Sequence, residues 1–186
     1  MAMTIPNILT TLRVVLIPFI IVVFLYGGAW SGFWAGILFG IAGITDWLDG
    51  YLARRLNQGS AFGAFLDPVA DKLTVSVCLI LIMYFYHETL FFVVTTIVII
   101  GREITISALR EWMAKNGESD RVVVDNTGKW KTAFQMVSIG LLLGSCSEAT
   151  AWAFWPGVIM LGVAVVLTIW SMILYLRAAA PVISLK

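Results

Sequence analysis

The residues of this chain best suited to chemistry are four aspartates, Asp46, Asp49, Asp67 and Asp71, held within one short stretch. The stretch reads Asp46-x-x-Asp49-Gly50-x-x-Ala53-Arg54, then eight residues, then Gly63-x-x-x-Asp67-x-x-x-Asp71. Spacings of three and four put two side chains on one face of a helix, so Asp46 pairs with Asp49 and Asp67 with Asp71. Four carboxylates brought together repel one another, and beside a bilayer each unpaired charge is costly, so a positive group must hold them. Oxygen donors without His or Cys suit Mg²⁺, Mn²⁺ or Ca²⁺ better than zinc. Four carboxylates have room for two ions, an arrangement that serves phosphoryl transfer by clamping the phosphate. The competing reading has these aspartates capping helices or pairing with Arg54, Arg55 and Lys72, but capping leaves the two helically spaced pairs unexplained. Gly50, Ala53 and Gly63 remove side chains where backbones, or a ligand, must come close.

The elements that position these groups are apolar. Of 186 residues 60% are hydrophobic and only 12% charged, and the mean hydropathy is +0.95. A soluble domain cannot hide that much apolar surface, so the chain is expected to be an all-α polytopic membrane protein forming one domain over residues 1–186. Six runs are long enough to span: Ile8–Tyr26, Trp30–Leu52, Ala64–Tyr86, Leu90–Trp112, Thr132–Ser147 and Ala151–Leu176. The first is read as an uncleaved span, because Gly27-Gly28-Ala29-Trp30 offers no small-x-small cleavage site. Between the spans, 27–29, 87–89 and 147–150 contain no Lys or Arg, while the opposite side collects Arg54, Arg55, Lys115, Arg121, Lys129, Lys131, Arg177 and Lys186. That bias places both termini, and all four aspartates, on the cytoplasmic side. Trp30, Trp34, Tyr84, Tyr86, Trp152 and Trp155 read as an aromatic belt at the outer interface. His87 falls on the outer side and is given no catalytic role. Cys78 and Cys146, in separate apolar segments, read as packing residues.

Two further clusters share the cytoplasmic side. The run Pro6-Asn7-Ile8-Leu9-Thr10-x-x-Arg13 presents a helix start with polar groups, either a place to touch a nucleotide or an ordinary interfacial helix start. The other cluster joins Gly101-Arg102-Glu103 and Arg110 to Gly128-Lys129-x-Lys131-Thr132-x-x-Gln135. Arg102 lies inside a span, where a charge needs a partner or an anionic ligand. Arg110 follows it by about two helical turns and shares roughly its face. Lys129 and Lys131 belong either to the same anion site or to the positive-inside set that faces lipid phosphates.

The aspartate string resembles the signature of the CDP-alcohol phosphotransferase family. The resemblance implies a divalent-metal-dependent enzyme that moves a phosphatidyl or similar group from a CDP-linked lipid to an alcohol, releasing CMP. It implies Asp46, Asp49, Asp67 and Asp71 as ligands of Mg²⁺ or Mn²⁺, two ions in all, with Asp71 also the general base. It further implies that Asn7, Thr10, Arg13, Gly50, Ala53, Arg54 and Gly63 contact CDP-diacylglycerol. The N-terminal and Gly-Lys-x-Lys-Thr patterns are similar to bacterial family members that take sn-glycerol 3-phosphate, implying that Arg102, Arg110, Lys129 and Lys131 bind the acceptor phosphate. A homodimer in the bacterial cytoplasmic (inner) membrane is implied, and no nucleic-acid partner is expected. Within the family the rival acceptors are serine, inositol phosphate or phosphatidylglycerol. Outside it the rival is a cation transporter, whose path should continue through outer span halves that carry no ionisable residue except Glu88 and Glu148 in the loops.

Overall fold

The structure, a computed structural model, describes residues 5–56, 61–117 and 127–183. Within them run six long helices: α1 (Ile5–Tyr26), α2 (Ser31–Leu56), α3 (Ala61–Phe85), α4 (Leu90–Lys115), α5 (Thr127–Ser145) and α6 (Phe154–Ile183). Short 3₁₀ turns at Gly28–Trp30 and Glu148–Ala153 lead into α2 and α6. Unbroken helices are what apolar runs must form in lipid, because backbone groups there have only each other as partners. The breaks fall near the expected places, but α2 runs on through Arg54 and Arg55 to Leu56 and α5 begins at Thr127, within the expected polar stretch Ala114–Lys131. Gly28 and Gly117 end their turns with φ of 69° and 74°, a left-handed conformation that glycine adopts without a Cβ clash. Residues 57–59 of the expected Arg54–Gly59 turn, and 118–126 of the expected polar stretch, lie outside the described residues.

Five of the six helices, all but α5, are long and apolar enough to cross a membrane, so the chain is an all-α membrane protein. The reason α5 falls short is visible in where its polar groups point. Lys131, Gln135, Ser138 and Ser145 are buried inside the bundle, not turned to lipid. Helix α5 packs on α6, α2 and α3, and its contact with α2 is a seam of small residues. A Cβ added at Gly36 would sit 3.0 Å from the Gly140 carbonyl oxygen and 3.3 Å from the Gly144 nitrogen. Such close backbone approach is how helices associate where lipid supplies no hydrophobic drive.

The main core joins α1 to α6 through Ile20, Phe24, Phe39, Leu79, Ile82, Phe92, Ile99, Ile139, Leu142 and Leu161. A smaller cluster, Ile106, Met113, Tyr175 and Ala179, ties α4 to α6 and fixes the last turns of both. One aromatic departs from the expected belt. Tyr86 stacks on Phe92 at 4.9 Å between centroids, and its hydroxyl pairs with Ser145 at 2.9 Å. A buried tyrosine needs a partner for its hydroxyl, and Ser145 supplies it, so Tyr86 belongs to the core. Trp30, Trp34, Tyr84, Trp152 and Trp155 are exposed as a belt requires.

Candidate active site

Successive helices run in opposite directions, so the start of α1, α3 and α5 meets the end of α2, α4 and α6. The contacts show it. Arg13 on α1 lies 2.5 Å from Asp46 Oδ1 on α2, and Thr10 on α1 donates to Asp67 Oδ1 on α3 at 2.5 Å. Both Thr10 and Arg13 are fully enclosed. They were singled out as nucleotide contacts, and the structure sets them against the carboxylates. The Asp46 carboxylate, itself half-exposed, offsets the cost of withdrawing the Arg13 guanidinium from water. Asp71, three residues after Pro68, feels the charges of Asp46, Glu103, Arg13 and Lys72. The three described carboxylates of the motif thus gather at one end of the bundle. Among the described residues no three of them are close enough together to enclose an ion. The side chains of Asn7, Asp49, Ala53, Arg54 and Lys129 lie outside the described residues. Gly63 is buried and Gly50 exposed. The donor chemistry of Asp46, Asp67 and Asp71, oxygen throughout, fits a hard divalent cation.

A cavity of about 470 Å³ opens beside Asp71, bounded by α3, α4, α5 and α6. Its wall carries Lys72, Arg102, Arg110 and Lys131 against Asp71 and Glu103, an excess of two positive charges. Glu103 organises the deeper part. Its Oε1 accepts from Arg102 Nη1 at 2.8 Å and from Lys131 Nζ at 2.6 Å. One carboxylate oxygen therefore aims two buried cations at the same space. Arg102 Nη2 also donates to Ser171 Oγ at 3.1 Å, while its Nε has no partner among the described residues. Arg110 donates to the Tyr175 hydroxyl at 2.6 Å, with its guanidinium 5.0 Å from the centre of that ring. This combination of hydrogen bond and cation–π contact orients an arginine that is otherwise exposed.

Arg102, Arg110 and Lys131, expected together from sequence, are brought together, and Asp71 faces the same cavity. Sequence reasoning missed Glu103, Ser171 and Tyr175 as partners. Glu103 had a signal, a lone carboxylate within a span beside an arginine; Ser171 and Tyr175 had none, lying in an apolar run.

A bundle of membrane helices with a gathered aspartate motif at one end, opening on a cationic cavity, defines a class of lipid phosphotransferases, and the chain belongs to the CDP-alcohol phosphatidyltransferase family, whose model matches residues 3–170. It is 47% identical over 179 residues, 96% of both chains, to the CDP-diacylglycerol–glycerol-3-phosphate 3-phosphatidyltransferase of Escherichia coli strain K12. The enzymes of the same name from Shigella sonnei strain Ss046 and Shigella flexneri serotype 5b are equally similar, at 47% over 96% of each chain. The family resemblance read from the aspartate motif is borne out, and the chain is an enzyme.

Proposed function

We propose that the chain transfers the phosphatidyl group of CDP-diacylglycerol to sn-glycerol 3-phosphate, giving phosphatidylglycerophosphate and CMP. The carrying observation is the cavity in which Asp71 faces Arg102, Arg110 and Lys131. Glycerol 3-phosphate differs from serine or a plain alcohol by a phosphate of nearly two negative charges. The wall's excess of two positive charges complements it, and Arg102 and Arg110 are suited to forked contact with its oxygens. With the phosphate so held, the acceptor's terminal hydroxyl turns toward Asp71. Asp71 takes the proton as the hydroxyl oxygen bonds to the β-phosphorus of the CDP group. The bond from that phosphorus to the bridging oxygen breaks, and CMP departs with the electron pair. Asp46, Asp49, Asp67 and Asp71 would hold one or two Mg²⁺ or Mn²⁺ ions, which when bound supply electrostatic stabilisation to the diphosphate. On the family motif Gly50, Ala53, Gly63, Arg54, Asn7, Thr10 and Arg13 are assigned to the CDP-lipid and Lys129 to the acceptor phosphate.

The membrane arrangement follows from the charges. Lys and Arg gather at the site end of the helices, and the turns at the other end have none. On that bias, with α5 counted as a sixth span, both termini are cytoplasmic and the site opens to the cytoplasm; a homodimer in a bacterial inner membrane rests on the family resemblance alone. The test is to incubate the purified protein with CDP-diacylglycerol, Mg²⁺ and a panel of acceptors while following CMP release. Release with glycerol 3-phosphate alone is the expected result; release with serine, inositol phosphate or phosphatidylglycerol instead would reassign the acceptor.

A further inference from the structure

Gln135 lines the same cavity and is only 5% exposed. Its Oε1 has no hydrogen-bond partner among the described residues. A buried side-chain amide normally has its groups paired, because leaving them unpaired forfeits their hydration with no return. Gln135 sits four residues beyond Lys131 on α5, on the same face and about one turn, roughly 6 Å, deeper into the bundle. The nearest polar groups are already engaged in part. The Tyr175 hydroxyl accepts from Arg110, and Glu103 Oε1 holds Arg102 and Lys131. Thr132, one turn back on α5, also lines the cavity and has an interaction of its own, and the rest of the wall near Gln135 is apolar, with Val75 and Met136.

We infer that Gln135 is a specificity-determining residue that hydrogen-bonds the acceptor hydroxyl lying between the phosphate and the reacting carbon. This rests on the acceptor-pocket reading above and adds what that reading lacks. The cations account for the acceptor phosphate and Asp71 for its reacting hydroxyl, which leaves the middle hydroxyl without a protein group. A hydroxyl both donates and accepts, and a carboxamide offers both complements, so the match does not depend on which way the amide is turned. The one-turn step from Lys131 to Gln135 is a distance that a three-carbon phosphate ester spans. An acceptor lacking that hydroxyl leaves the amide buried against hydrogen, which is how a polar pocket rejects a deoxy analogue.

The test compares sn-glycerol 3-phosphate with 3-hydroxypropyl phosphate, which keeps the phosphate and the terminal hydroxyl and lacks only the middle one. CMP release by the intact protein is measured with each. The wild-type enzyme is expected to favour glycerol 3-phosphate by about tenfold or more in kcat/KM. In Gln135→Leu and Gln135→Met that preference collapses to about twofold or less, the loss falling on glycerol 3-phosphate. Arg110→Ala should lower both acceptors by one common factor and keep the preference. A wild-type enzyme that uses the two acceptors equally overturns the inference without any variant, as does a Gln135→Leu or Gln135→Met enzyme that retains the wild-type preference. If Arg110→Ala leaves both acceptors unaffected, the failure is that of the acceptor-pocket reading itself.

Discussion

At one end of the bundle Tyr86, Phe92 and Phe154 meet ring to ring, with centroids 4.9 to 6.2 Å apart, and the Tyr86 hydroxyl is paired with Ser145. At the other, Arg102, Glu103, Lys131 and Arg110 stand around an open cavity, and the Gln135 and Arg102 side chains keep unpartnered atoms. The same six helices make both ends. The first end spends its polar groups on its own packing, as folding alone would favour; the second leaves cationic groups uncompensated where only a ligand can use them. A protein under pressure for stability alone would fill and neutralise that space, so the contrast itself marks where function lies.

The contrast breaks most visibly at the aspartates. Chelating divalent cations is expected to abolish CMP release, and Asp71→Asn, which keeps the shape but loses the base, to reduce turnover by about a hundredfold or more while substrates still bind. Full activity in excess chelator, or near-normal turnover of Asp71→Asn, would remove the metal or the base from the account. Next comes the cationic wall. Arg110→Ala gives up a charge-assisted contact of about 1.5–3 kcal/mol, hence an acceptor KM raised roughly ten- to a hundredfold, with the CDP-diacylglycerol KM nearly unchanged. An equal effect on both substrates would show that the cavity is not reserved for the acceptor.

Smaller effects sharpen the other side of the comparison. Tyr86→Phe deletes one hydrogen bond in the packed end, so thermal unfolding should show a loss of about 1 kcal/mol, with kcat/KM unaltered. A change in acceptor KM from that site would mean that the two ends are coupled. Finally, single cysteines at Glu88 or Glu148 should react with an impermeant label only from outside, and one at Lys115 only from the cytoplasm. The reverse pattern would invert the orientation that the charge bias assigns.

What sequence makes plain and what it hides divide along the same line. Apolar runs and their glycine breaks specify the helices nearly to their ends, because in lipid no other backbone structure competes. The aspartate motif is legible because its spacing is local, three and four residues along one helix. The partners of the cations were not, because they are set by tertiary contact. Lys131 finds Glu103 across 28 positions, Arg102 finds Ser171 across 69, and Thr10 finds Asp67 across 57. Arg102 was expected to need either a partner or an anion; it has Glu103 and Ser171, and still an unpaired Nε. Helix α5 shows the limit of hydropathy as a guide, since a helix enclosed by its neighbours can carry Lys131, Gln135 and two serines without presenting them to lipid.

The position of Tyr175 and Ser171 on the last helix has a consequence for how the enzyme comes into being. The ribosome makes Asp71, Arg102, Arg110 and Lys131 well before α6 emerges. Until α6 docks, Arg110 has no ring to lie against and Arg102 lacks its serine, and the cavity is without a wall. The α6 side of the cavity, where Tyr175 stands, is thus the last part of its wall to be made, and a chain interrupted before α6 would carry the whole aspartate motif without it.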